Sequence, residues 1–365
     1  MSKENNFQPD YTIHPGEYLQ EIIDARNLTK VDIAHRLDVH PTMITNITKG
    51  KKSIGPELAI KLEHVIGVSR NIWNNLNSSY QLSQAKQNEK EQLDQYKDWA
   101  NSFPLNFLKE LSFIPATQNY QKIVLALLEF FNISEPEVWD KYYGTQTSQL
   151  RESLAYECNQ KPLATWIRAG EKFVEETIYK PYDKKLFKEN LNKIKQLTRE
   201  EPSTYIPKMK ELCREAGVAL TFVPEPKGIS VYGGTKWMNK DTPLIIQSLR
   251  RKSNDHFWFT FFHEAGHILR HGKKEVFIYN DENESQKEDE ADRFARKFLV
   301  DTKEYQKFVK NKKITQSSIQ NFAYEQNLDP GIIVGFLQHD EQIKYSWHNG
   351  LKKKIDFEKL DIDFS

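Results

Sequence analysis

Two histidines and a glutamate stand close together in His263-Glu264-Ala265-Gly266-His267. On an α-helix, positions i and i+4 lie on one face, one turn apart. Two imidazoles so placed can hold one tetrahedral zinc ion through neutral ring nitrogens. Glu264 is one step round the helix, where it reaches a water rather than the ion. Zinc brings the pKa of such a water down to about 7, and a carboxylate can take its proton as the water attacks a carbonyl. The pattern predicts metal-assisted hydrolysis, with His263 and His267 as metal ligands and Glu264 as general base. Manganese or iron(II) can compete with zinc for such donors.

A third ligand must come from elsewhere and leave one position open. Glu288 on the following helix is the best placed. Glu288 and Asp292 are four apart and share a face, so Asp292 can accept a hydrogen bond from the far nitrogen of a ligand histidine. Glu290 points round from that face and is the competitor. His271 continues the four-residue series, but one straight helix does not easily give three ligands to one ion. With Gly272 next, His271 is expected to cap the helix and meet its dipole. The plainer alternative makes both histidines satisfied polar residues on a buried helix. The apolar surroundings of the pattern and the ExxAD spacing at 288–292 weigh against it.

These residues need elements to position them. From Pro202 onward, VALTFVP, ISVYGG and TPLIIQSL read as short strands broken by Pro, Gly and Asp turns, and a small antiparallel sheet is expected. The aromatic-rich SNDHFWFTFFHEAGHILRHG then reads as a long buried helix stopped at Gly272. EADRFARKFLV carries Ala291, Phe294, Ala295, Phe298 and Leu299 on one stripe of a second helix. The run Ile229 to Trp237 could form a free sheet edge that holds a substrate strand, or Gly233-Gly234 could be a plain turn.

GGTKWM, then SLRRKSNDHFWFTFFHEAGHILRHGKKEVF and EDEADRFARKFLV, resemble the ImmA/IrrE family of zinc metallopeptidases over roughly residues 161–338. The resemblance implies His263, His267 and Glu288 as ligands and Glu264 as the catalytic group. It also implies cleavage of helix-turn-helix repressors. One departure is Phe298-Leu299-Val300-Asp301, where many members carry a Leu-Leu-Met-Pro-like ending.

The front of the chain reads differently. Residues 11–77 form five short helices with clear punctuation: Pro15, Pro41 and Pro56 open three of them, and Thr29 and Ser69 cap two. The second and third have helix-turn-helix spacing, which places the third in the DNA major groove. Thr42, Thr45 and Asn46 would meet base edges, and Lys49, Lys51 and Lys52 would meet phosphates. A protein-interaction domain with a solvated lysine cluster is the alternative. The HPGE start, the KGK after the third helix and the WNNL ending resemble HigA-type antitoxins of the XRE class. That resemblance implies operator DNA as partner, a homodimer, and neutralisation of a toxin. Lys30 departs from it, standing where many members have Gln.

The 365 residues exceed one ordinary core. The organisation expected is 11–78 helix-turn-helix domain, 79–200 mostly helical connector, 201–340 metallopeptidase domain and 341–365 charged tail. The fold class is multidomain: all-α in front, α+β behind. A net charge of +1 confines any nucleic-acid surface to a local patch. Two cysteines, Cys158 and Cys213, make no disulfide framework, and no apolar run suits a leader or a membrane span. A cytoplasmic location is expected. The function expected is a DNA-binding regulator with zinc-dependent endopeptidase activity, cutting a repressor-type partner or itself within Ser78 to Gln95. The alternative is a HigA-like antitoxin and repressor whose metal site is structural or sensory.

Overall fold

The computed structural model describes residues 12–144, 160–280, 285–310 and 313–357. The chain forms two compact units, which divide between Lys97 and Asp98. Cys158 and parts of the loop before Ser285 and of the charged tail lie outside the described residues.

The first unit is all-helical: α1 (Pro15–Ala25), α2 (Lys30–Leu37), α3 (Pro41–Thr48), α4 (Pro56–Ile66) and α5 (Arg70–Leu93). Thr29 and Asp32 make a reciprocal capping box at the start of α2. His14 caps α1 by accepting a 2.9 Å hydrogen bond from the Gly16 amide. A Cβ on Gly16 would stand 1.8 Å from the Ile47 carbonyl oxygen, so only glycine lets α1 meet α3 this closely. Leu19, Ile33, Ile44, Ile47, Leu62 and Trp73 are fully buried at the centre.

The polar stretch from Ser78 continues α5 without a break to Leu93, as a solvated helix. It holds no Pro or Gly, and its Gln, Lys, Glu and Ala are good helix formers. Gln87 donates to Glu91 one turn on, at 3.0 Å.

The second unit is built round a four-stranded sheet in the order β1-β3-β2-β4. The strands are β1 (Ala219–Phe222), β2 (Gly233–Asn239), β3 (Thr242–Gln247) and β4 (Phe277–Tyr279). β2 pairs antiparallel with β3 and β4, but β1 pairs parallel with β3. The sheet is therefore mixed, which corrects the expected antiparallel one. A tight hairpin dictates the β2–β3 pairing locally, whereas β1 reaches β3 through a crossover that no local pattern specifies. Neither alternative offered for Ile229 to Trp237, a free edge or a plain turn at Gly233-Gly234, holds there: Gly233 to Thr235 are strand residues paired on both sides.

β1 and β3 are buried throughout because helices cover both faces. On one face Trp166, in the helix Gln160–Val174, donates to the Val223 carbonyl at 3.1 Å. On the other lies the motif helix, Asn254–Arg270, with Phe257, Trp258, Phe261, Phe262 and Ala265 in the main core. A partner helix, Gln286–Leu299, packs along it. Gly266 permits this approach, since a Cβ there would meet Phe294 Cδ1 at 3.0 Å and Ala291 Cα at 3.3 Å. After the departure at Phe298 to Asp301, Asp301 accepts from the Lys303 and Glu304 amides and starts the helix Thr302–Lys310. Among the described residues no helix is long and apolar enough to cross a membrane.

Candidate metal centre

The motif helix carries His263, Glu264 and His267 into the core, where all three are buried. The partner helix begins at the Ser285 cap, whose hydroxyl accepts from the Glu288 amide at 3.3 Å. That start puts Glu288 in the first turn and Asp292 one turn on, both facing the motif helix. Glu288 Oε2 lies 2.9 Å from His263 Nε2 and 3.4 Å from His267 Nε2. The two Nε2 atoms are 3.0 Å apart. His263, His267 and Glu288 thus offer one ligand atom each, all within 4.8 Å of one another. Two imidazole nitrogens and a carboxylate oxygen are a donor set that suits zinc, manganese or iron(II).

Each imidazole is held from behind. His263 Nδ1 is 2.7 Å from Asp292 Oδ1. His267 Nδ1 is 2.9 Å from His271 Nδ1, and His271 Nε2 is 3.4 Å from Glu290 Oε2. Glu290 therefore faces His271 and not the two Nε2 atoms. His271 does cap the motif helix, with φ −109° and ψ 171°, but its ring turns back onto His267. From the sheet edge, Tyr279 stacks on His263 at 4.0 Å between ring centroids, and Phe277 stacks on His267 at 4.1 Å. These rings alternate along β4 and so share one face.

Glu264 has its own surroundings. Thr235 on β2 donates its hydroxyl to Glu264 Oε2 at 2.6 Å. The other oxygen, Oε1, is buried with no hydrogen-bond partner among the described residues. A Cβ on Gly233 would stand 2.5 Å from that oxygen, so the glycine lets β2 lie against the carboxyl. Burial pushes the Glu264 pKa up to about 8. Burial also opposes charge on His263, but hydrogen bonds to Asp292 and Glu288 outweigh it and raise its pKa to about 9. For His267 burial prevails and lowers the pKa to about 4. Glu288 is held below the usual carboxylate range: its hydrogen bonds to His263 and His267 overcome burial.

Thr235, Gly233, Phe277, Tyr279 and the His271–Glu290 contact were not assigned from sequence. Gly233 and Thr235 sit in a run read only as a possible sheet edge or turn, with no contact to Glu264 foreseen, and nothing in FIY at 277–279 announces a strand that stacks on histidines.

In the first unit, Thr42, Asn46, Lys49, Lys51 and Lys52 are exposed and Thr45 is half-buried. Thr42 Oγ1 lies 2.8 Å from His40 Nδ1, and Thr45 donates its hydroxyl to the Pro41 carbonyl at 3.1 Å. Asn46 is left facing solvent one turn beyond Thr42. Lys30 donates to Thr48 Oγ1 at 2.8 Å, so its ammonium ties α2 to α3.

Two family models match the chain. A helix-turn-helix model covers residues 19–73, and a Peptidase_M78 model, the IrrE N-terminal-like domain, covers residues 229–323. The HTH-type transcriptional regulator YddM of Escherichia coli (strain K12) is 35% identical over 72 residues, which cover 20% of this chain and 77% of the regulator. Virulence-associated protein I of Dichelobacter nodosus is 31% identical over 78 residues, 21% of this chain and 72% of that protein. Among solved structures, the Pseudomonas aeruginosa antitoxin HigA with higBA promoter is 28% identical, covering 23% of this chain and 94% of its own, with a TM-score of 0.22.

Proposed function

The chain belongs to the helix-turn-helix transcriptional regulators through its first unit and carries an IrrE N-terminal-like peptidase domain in its second, and from that premise we propose that it is a cytoplasmic DNA-binding regulator with metal-dependent endopeptidase activity. The observation that carries the proposal is the pairing of two features within one buried site. Three ligand atoms converge there, and beside them stands a carboxyl group with one oxygen held and one unpartnered. A site that only held a metal for structure would have no use for that oxygen.

In this reading His263 and His267 would hold a cation through Nε2 and Glu288 through a carboxylate oxygen, and the chemistry supplied there would be Lewis acidity toward a peptide carbonyl and a water. Asp292 accepts a hydrogen bond from the Nδ1–H of His263, which keeps the proton on Nδ1 and the lone pair on Nε2. Thr235 holds Glu264 Oε2, so Oε1 is the atom that accepts a proton and returns it to the leaving amine. A carboxylate can do both in turn, as general base and then as general acid.

The substrate favoured is a partner repressor rather than this chain. Peptidases take extended backbone, and Ser78 to Leu93 is held as helix. In the first unit, Asn46 with Thr42 and Thr45 would read base edges, while Lys49, Lys51 and Lys52 would meet operator phosphates, with the chain acting as a homodimer.

The test is co-expression with neighbouring gene products, native chain against Glu264→Gln, followed by intact mass spectrometry. Fragments of a partner that depend on Glu264 are expected. If none form while zinc and operator DNA are still bound, the HigA-like antitoxin and repressor with a structural or sensory metal takes its place.

A further inference from the structure

We propose that His271 and Glu290 form a relay that holds His267 with its Nε2 lone pair directed to a divalent cation, a positioning role separate from ligation. The inference rests on the metal-site reading above and extends it to two residues that contribute no ligand atom to the converging set.

The two imidazoles of that set are supported unequally. His263 has a carboxylate directly behind it, with Asp292 Oδ1 2.7 Å from Nδ1. At His267 the corresponding position is taken by a third imidazole, with His271 Nδ1 2.9 Å from His267 Nδ1. A neutral imidazole has one N–H and one lone pair. If His267 gives its Nε2 lone pair to a metal, its proton sits on Nδ1 and can only be donated to His271. His271 must then accept at Nδ1 and carry its own proton on Nε2. That proton points towards Glu290 Oε2, 3.4 Å away. With His267 Nε2 given to a metal, this arrangement provides every nitrogen of the two rings with a partner. Glu290 is steadied in turn by Gln286, which donates to its other oxygen at 3.0 Å.

The backbone explains how His271 reaches this place. It is the first residue past the motif helix and has left helical geometry. Its ring therefore swings back over His267 instead of continuing the row of ligands. Phe277 packs on His267 and lies 5.2 Å from His271 between ring centroids. The His271 side chain is only 4% exposed, so water does not readily replace it as acceptor, while Glu290 at 34% ends the relay near solvent.

The experiment uses the full chain, with zinc titrated against a chromophoric chelator, and the zinc-loaded form labelled with ¹⁵N-histidine for NMR. His271→Phe keeps a ring but removes the acceptor. It is expected to weaken zinc binding about 10–100-fold and to move the His267 Nδ1 proton upfield into fast exchange with water. His271→Gln, whose amide oxygen can accept, restores most of the affinity. A folded His271→Phe protein that binds zinc as tightly as the native chain, with the His267 signal unmoved, overturns the relay. If His271→Phe does not fold, Glu290→Leu decides: a several-fold weaker zinc affinity supports the relay, and an unchanged one overturns it. A native chain that binds no zinc overturns the metal-site reading itself.

Discussion

The exposed face of α3 and the buried histidine centre place their polar side chains under opposite constraints. On α3, Thr42 and Thr45 satisfy their hydroxyls on His40 and Pro41, within one turn, and Asn46 and the lysines stand in water. In the histidine centre, His263 is paired with Glu288 and Asp292, 25 and 29 residues away, and Glu264 with Thr235 at a similar remove. An exposed polar group without a protein partner costs little, because water supplies one. A buried one needs its partner placed by the fold. Residues on the first surface can therefore change singly, whereas the second is one network in which each change is felt by its neighbours.

The sharpest way to separate the two regions is to remove metal. Chelation of the zinc-loaded chain is expected to destabilise the second unit by about 4 kcal/mol, if free zinc had stood at about a thousand times Kd. The melting transition of the first unit should not move, and scanning calorimetry reads both. Equal movement of the two transitions would break the division.

Two glycines probe the same contrast at a smaller scale. Gly16→Ala drives a Cβ into the Ile47 backbone carbonyl, which has nowhere to go. A loss of about 1–3 kcal/mol in the first unit is expected in denaturant unfolding, with operator affinity falling alongside. Gly233→Ala meets the Glu264 and Thr260 side chains, which can shift. It should lower peptide hydrolysis more than it lowers stability, and zinc affinity should change least. A Gly233→Ala chain with native turnover would show that the close approach of β2 is not needed to place Glu264.

On the exposed surface, effects should be smaller and separable. Asn46→Ala is expected to cost about 1–3 kcal/mol of discrimination at one base pair. Lys51→Ala or Lys52→Ala should weaken all sequences alike and reduce the salt dependence of binding by about 0.9 per lost phosphate contact. Gel-shift titrations at several salt concentrations distinguish the two behaviours.

The smallest effect concerns acid. Burial favours the neutral form of Asp255 at the start of the motif helix, but the neighbouring His256 charge and hydrogen bonds from Lys352 and Ser253 outweigh it. Lys352 Nζ lies 2.6 Å from Asp255 Oδ2. The pKa is thus depressed in the folded state. Its stabilisation is complete above the unfolded value of about 3.9 and is lost as pH falls through the lower folded value. Asp255→Asn should flatten this acid-side loss in the second unit alone.

Much of the first unit was legible because its signals are local. Pro15, Pro41 and Pro56 do open helices, and Thr29 and Ser69 do cap them. The strands were harder. VALTFVP and TPLIIQSL correspond to β1 and β3, but ISVYGG misplaces β2, which begins only at Gly233. Glycine disfavours strands in isolation. Here pairing on both sides and contact with Glu264 override that preference. β4 is three residues long and leaves no period to detect.

Helical periodicity alone puts His263 and His267 on one face, sets Glu264 one step round, and aligns Glu288 with Asp292. Such relations lie within single segments, where backbone geometry fixes the phase. Only the tertiary structure decided that Glu288 meets both Nε2 atoms while Glu290 meets His271, and that Thr235 holds one oxygen of Glu264. Those choices depend on how closely two helices and a strand approach, which Gly266 and Gly233 permit and the burial of the surrounding aromatic core enforces.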